Sequence, residues 1–81
     1  PMKMRINIER EETGFVVSLE IGDIVAVINT HANYRDAVDE ATWTCDDLGK
    51  YPNVRPEVCD WVRMRKEDEA DYRAALMKGN W

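Results

Sequence analysis

Histidine occurs once in this chain and cysteine twice, and neither is spaced for metal chemistry. His31 has no second histidine to share a ligand, and Cys45 and Cys59 do not form a C-x2-C pair. Glycine is sparse, with 4 in 81 residues, and none builds a phosphate-cradling loop or a nucleophile elbow. No apolar run approaches the roughly 20 residues of a membrane-spanning helix. Basic residues are outnumbered, 11 against 16 acidic, for a net charge of −5. That balance repels phosphate backbones and argues against direct nucleic-acid binding. It favours a basic protein surface, including one that itself handles nucleic acid. Together these shortages predict no enzyme, no cofactor and no metal.

What the chain has is apolar alternation followed by helical periodicity. Its 44% hydrophobic and 33% charged residues suit one small α+β domain over residues 1–81. A chain of this size buries only about 60–65% of its unfolded surface, which favours working through a surface over a deep cleft. Pro1 ahead of Met2 reads as a residue left by tag cleavage. No signal-peptide pattern follows it, so a cytoplasmic location is expected.

Met4, Ile6 and Ile8 alternate with polar residues, and so do Phe15, Val17, Leu19 and Ile21 after the Glu11–Gly14 turn. Ile21-Gly22-Asp23-Ile24 is a two-residue hairpin signal, with glycine first as a type II′ turn requires. Strands over residues 3–10, 15–21 and 24–29 then form an antiparallel meander in the order 1-2-3. Ile8 pairs with Val17, Ile6 with Leu19, and Ile24, Ala26 and Ile28 share their face. Arg5, Asn7 and Glu9 make the wet side. Val16, Val25 and Val27 lie on that second face, where either a dimer partner or the C-terminal helix can cover them. Strand 3 ends as a sheet edge.

Residues 29–32 read as a loop that leaves His31 solvated. Asn33 then suits a helix N-cap, with Gly49 and Pro52 closing the helix. Tyr34, Ala37, Val38, Ala41, Cys45 and Leu48 form one apolar stripe that should pack on the sheet. Trp43 falls roughly 200° round from Ala41. Asp36, Asp39, Glu40, Asp46 and Asp47 surround it, with no basic residue between Arg35 and Lys50. A tryptophan in such a field is a natural interface anchor, and these six residues are the candidate partner-binding site. The alternative is that the C-terminal segment folds back over Trp43.

Pro56 fits the first turn of a second helix carrying Val58, Trp61 and Val62 on one side. An Arg65–Glu69 pair interrupts that stripe, so the helix either breaks or bends near residues 66–68 or its second half leaves the body of the domain, giving two or three helices in all. Gly79 reads as the last cap, and Trp81 needs an apolar seat. With helices flanking the turn at residues 49–52, Cys45 and Cys59 should lie side by side, reduced in a cytosolic chain. Arg63, Arg65 and Lys66 precede a run of carboxylates and read as a solvated mixed-charge surface.

The ββ(β)α order over residues 4–48, with its N-Y-R-D-A-V-D-E-A segment, resembles the HicB-like fold of certain antitoxins. Leu19-Glu20-Ile21-Gly22-Asp23 stands where that group carries P-x-L-x-G. The short, acidic build without catalytic residues is also similar to phage and mobile-element inhibitors of the anti-CRISPR kind. The second resemblance implies an inhibitor that blocks a larger protein or ribonucleoprotein complex. The first implies a dimeric antitoxin or regulator that self-associates through its sheet.

Overall fold

The computed structural model describes residues 2–64 and 66–77, without the side chains of Glu69 and Leu76. Six elements follow one another: β1 (Met2–Glu11), β2 (Gly14–Ile21), β3 (Ile24–His31), α1 (Tyr34–Leu48), β4 (Val54–Asp60) and α2 (Lys66–Met77). The strands make one sheet in the order β3-β2-β1-β4. The first three form the expected antiparallel meander, with Ile6 opposite Leu19 and Ile8 opposite Val17. Gly22 has φ 58 and Asp23 a negative φ, the pattern of a II′ hairpin whose twist matches its strands. In the first hairpin Glu11 already pairs with Gly14, so Glu12 and Thr13 alone make the turn.

β4 corrects the sequence reading. Residues 54–60, taken for a helix start at Pro56, are a strand parallel to β1, with Ile6 beside Val58 and Met4 beside Pro56. Parallel neighbours need a crossover, and α1 supplies it between β3 and β4. Pro56 is compatible because β4 is an edge strand, where a missing N–H is tolerated. The strand ends where the Asp60 carboxylate accepts the backbone N–H groups of Val62 and Arg63, both at 3.1 Å. Its other oxygen accepts the Tyr34 hydroxyl, tying the start of α1 to the end of β4.

The core lies between the sheet and α1. Ile6, Ile8 and Val17 pack against Ala37 and Ala41, with Phe15, Leu19, Tyr34, Val38, Cys45, Leu48 and Val62 around them. Alanines at the centre of the stripe let the helix axis approach the sheet closely. The predicted apolar stripe is therefore the one that docks. Gly49 has φ −65, so it continues the helical conformation and is not the left-handed cap that the sequence suggested.

The second face is covered too where β1 and β4 form it, which the alternation did not reveal, while Val25 and Val27 of β3 stay exposed there. Arg5 and Asn7, read as solvent-facing, are buried along with Ser18. Arg5 pairs with Glu20. The Asn7 amide donates to Glu20 at 2.9 Å and accepts the Trp61 indole N–H at 2.8 Å. Above them the Tyr72 ring of α2 meets Trp61 edge-on, and its hydroxyl donates to Glu57 at 2.7 Å. Cys59 sits beside that hydroxyl at 3.4 Å. Cys45 packs with the core on the other side of the sheet, so the two free thiols are not neighbours, contrary to expectation. That expectation failed with the helix assigned to residues 56 onward, because a strand sends Cys59 to the α2 side. The expected features at Gly79, Trp81 and the Arg65–Glu69 pair lie outside the described residues.

Candidate functional site

α1 begins at Asn33, whose extended backbone (φ −108, ψ 138) is that of an N-cap. Its side-chain amide donates to Asp36 at 3.2 Å and leaves the helix N–H groups to other partners. Helical geometry from Tyr34 to Leu48 turns Trp43 away from the sheet once Ala37 and Ala41 dock. Trp43 is 66% exposed, a large fraction for the most apolar side-chain area on the helix. α2 does not cover it, because the contacts of Tyr72 and Arg73 are with Glu57, Cys59 and Trp61 on the opposite face of the sheet.

The carboxylates around Trp43 are not equivalent. Asp36, Asp46 and Asp47 are exposed, whereas Asp39 and Glu40 are half-buried. Glu40 is engaged by His31 at 2.7 Å. β3 runs to His31, beyond the expected end at residue 29, and so carries the imidazole to α1 instead of leaving it solvated. Asp47 lies 3.3 Å from Lys50, an exposed pair that screening makes weak. Asp46 and Asp47 occupy the last turn of α1, which carries no basic residue. Carboxylates there oppose the helix dipole. From Asp36 to Asp47 the charges extend about 16 Å along the axis at 1.5 Å per residue.

Four further groups, two thiols and two phenols, titrate above their ordinary values. Burial raises the Cys45 thiol, helped by the neighbouring Asp46 carboxylate. Burial likewise raises Cys59, partly offset by its hydrogen bond to Tyr72. Tyr34 is raised by burial and by its bond to Asp60. Tyr72 is driven far up by burial and then by Cys59 and Glu57. Raised thiols are protonated and poor nucleophiles at neutral pH. Among the described residues no cluster of three or more His, Cys, Asp or Glu is placed to hold a metal ion. A groove of about 400 Å³ on the α2 side is lined by the paired Arg5 and Glu20 together with Trp61 and Arg73.

Two features escaped sequence reasoning. The Arg5–Glu20–Asn7–Trp61 network was hidden because polar residues on a strand normally mark its wet face. β4 did have a signal, the alternation of Val54, Pro56 and Val58, which was outweighed by Pro56 read as a helix start. No helix among the described residues is long and apolar enough to cross a membrane. Comparison with protein-family models, curated proteins and solved structures finds no match to this chain.

Proposed function

We propose that this chain is a non-enzymatic interaction domain that occludes a basic surface of a larger nucleic-acid-handling complex, as small anti-CRISPR inhibitors do. The observation that carries the reading is Trp43, 66% exposed at the centre of Asp36, Asp39, Asp46 and Asp47 on a helix docked to the sheet through Ala37 and Ala41. An exposed indole loses a large apolar area to water, and burying it against a partner recovers that area. The carboxylates supply orientation and fast approach to a cationic surface more than holding energy. They present fixed negative charge where such a surface otherwise takes phosphates. Glu40 plays a lesser part, since His31 already engages it.

A second support is the placing of Asp46 and Asp47 against the helix dipole, a local conflict of the kind found at functional sites. The test is a comparison of wild type with Trp43→Ala and with Asp39→Lys/Asp47→Lys in recovering proteins from bacterial lysate. Loss of the same recovered complex in both variants, with neither melting below wild type, supports the reading. Recovery of that complex at wild-type level by Trp43→Ala removes the indole from the interface.

A further inference from the structure

β3 is exposed along nearly its whole length, and on both faces. Ile24 is 71% exposed, Val25 60%, Val27 66% and Ile28 39%, and neither helix covers these side chains. The valine pair remains open because α2 settles over β4 and Trp61 instead. Among the described residues no strand pairs with β3 on its outer side, so it forms an edge of the sheet.

The two edges are built differently. β4 carries Pro56 and the charged Arg55 and Glu57, devices that discourage further pairing. From Ile24 to Thr30 the β3 edge has no charge and no proline. In a chain of net charge −5, this is a strand on which two copies meet without like-charge repulsion. One open edge and one defended edge give a closed pair, because a second copy consumes the only unguarded edge.

We infer that β3 pairs antiparallel with β3 of a second copy, forming a two-fold dimer with a continuous eight-stranded sheet. Hydrogen-bond parity selects the register. In a two-residue hairpin the residues flanking the turn bond to each other, so Ile24 and Ala26 direct their backbone groups toward β2. Val25 and Val27 direct theirs outward. Centring the two-fold axis on Ala26 sets Val25 against Val27 of the second copy. Each valine N–H donates to the C=O of the valine opposite, giving four hydrogen bonds across the interface. The same register brings Ile24 to Ile28, the residue bulged between the Ser18–Val27 and Val17–Asn29 pairs. The bulge limits the pairing to this short apolar stretch. A two-fold axis normal to the sheet keeps both α1 helices on one side, so two Trp43 faces point the same way. The dimer does not depend on what those faces bind.

One strand pair is smaller than a standard interface of about 1,600 Å², so the association is weak, on the order of micromolar to a hundred micromolar. Sedimentation velocity from about 5 µM to about 1 mM should show wild type moving from monomer toward dimer. Val25→Lys/Val27→Lys sets cations opposite each other and should stay monomeric throughout, with an unchanged circular-dichroism spectrum. Ala26→Cys lies on the axis in a non-hydrogen-bonded pair, where Cα atoms are about 4.5 Å apart and a disulfide fits. It should form a covalent dimer under mild oxidation, while Thr30→Cys, away from the axis, should not. Wild type that remains monomeric to about 1 mM, or a dimer that survives Val25→Lys/Val27→Lys, overturns the inference.

Discussion

Asp46→Lys should make the domain more stable, although it removes a residue from the proposed working surface. Asp46 is exposed in the last turn of α1, where no basic residue offsets the negative end of the helix dipole. A charge of the wrong sign at an exposed terminus costs about 0.3–1 kcal/mol, and one of the right sign gains as much. Reversal therefore stabilises by about 0.6–2 kcal/mol, with a few tenths added by the better helix propensity of lysine. The exposed Asp46 side chain is not among the hydrogen-bonded or ion-paired side chains of the described residues, so its replacement removes no direct contact. In a domain of this size 1 kcal/mol corresponds to about 4–8 °C in Tm. Thermal melts at low ionic strength should show a rise of several degrees that shrinks in about 0.5 M salt, where the Debye length is only a few ångströms. A Tm that is unchanged or lower at low salt would refute the view that α1 carries an electrostatic conflict at its C-terminus. The same substitution should slow association with a basic partner, so that stability and binding move in opposite directions.

Gly14→Ala should destabilise by about 3 kcal/mol or more: Gly14 has φ +146, and an added Cβ would lie 2.2 Å from the His31 carbonyl oxygen. A urea midpoint close to wild type would contradict that close approach. Asn7→Ala should cost about 1–3 kcal/mol, because it removes the acceptor of the half-buried Trp61 indole N–H and one of the donors to Glu20, which keeps Arg5; a loss under about 0.5 kcal/mol would mean the network contributes little. Stability should also fall in alkali. Cys45, Cys59, Tyr34 and Tyr72 are all raised in the folded state, from ordinary values of 9.0 for the thiols and 10.0 for the phenols. The unfolded chain then loses these protons first, so their contribution is complete below about pH 9 and declines as pH rises through the folded values. Melts with a flat or rising Tm from about pH 8.5 to 10.5 would contradict this.

The meander was legible in the sequence because Ile6 and Ile8 match Leu19 and Val17 in parity across the first turn and the Gly22 hairpin sets the second register as far as Ala26; beyond it a bulge at Ile28 brings Asn29, not Ile28, opposite Val17. The docking stripe of α1 was legible for the same reason at helical period, whereas helical spacing could not say whether the C-terminal segment covers Trp43, which the structure leaves 66% exposed. Residues 54–60 were not, because a proline beside a glutamate reads equally as a helix start or an edge strand. What decides between them is pairing with β1, a contact distant in sequence. The error spread to Cys59, whose side of the chain depends on strand or helix. Arg5 and Asn7 misled in another way. Their burial depends on Trp61 and Tyr72 closing over them, which alternation within β1 cannot express. The site was partly legible: helical spacing brought six residues to one face, but the reach of His31 to Glu40 required β3 to extend past its apolar run.

Affinity for the recovered complex, measured side by side for wild type and Trp43→Ala, bears most directly on the interaction surface. Trp43 lies outside the core, so the variant should melt like wild type while binding weakens by about 2 kcal/mol, close to thirtyfold. Asp39→Lys/Asp47→Lys should mainly lower the association rate and its salt dependence. If Trp43→Ala binds as tightly as wild type, or unfolds while the charge reversals leave binding intact, the acidic face of α1 is not the contact surface.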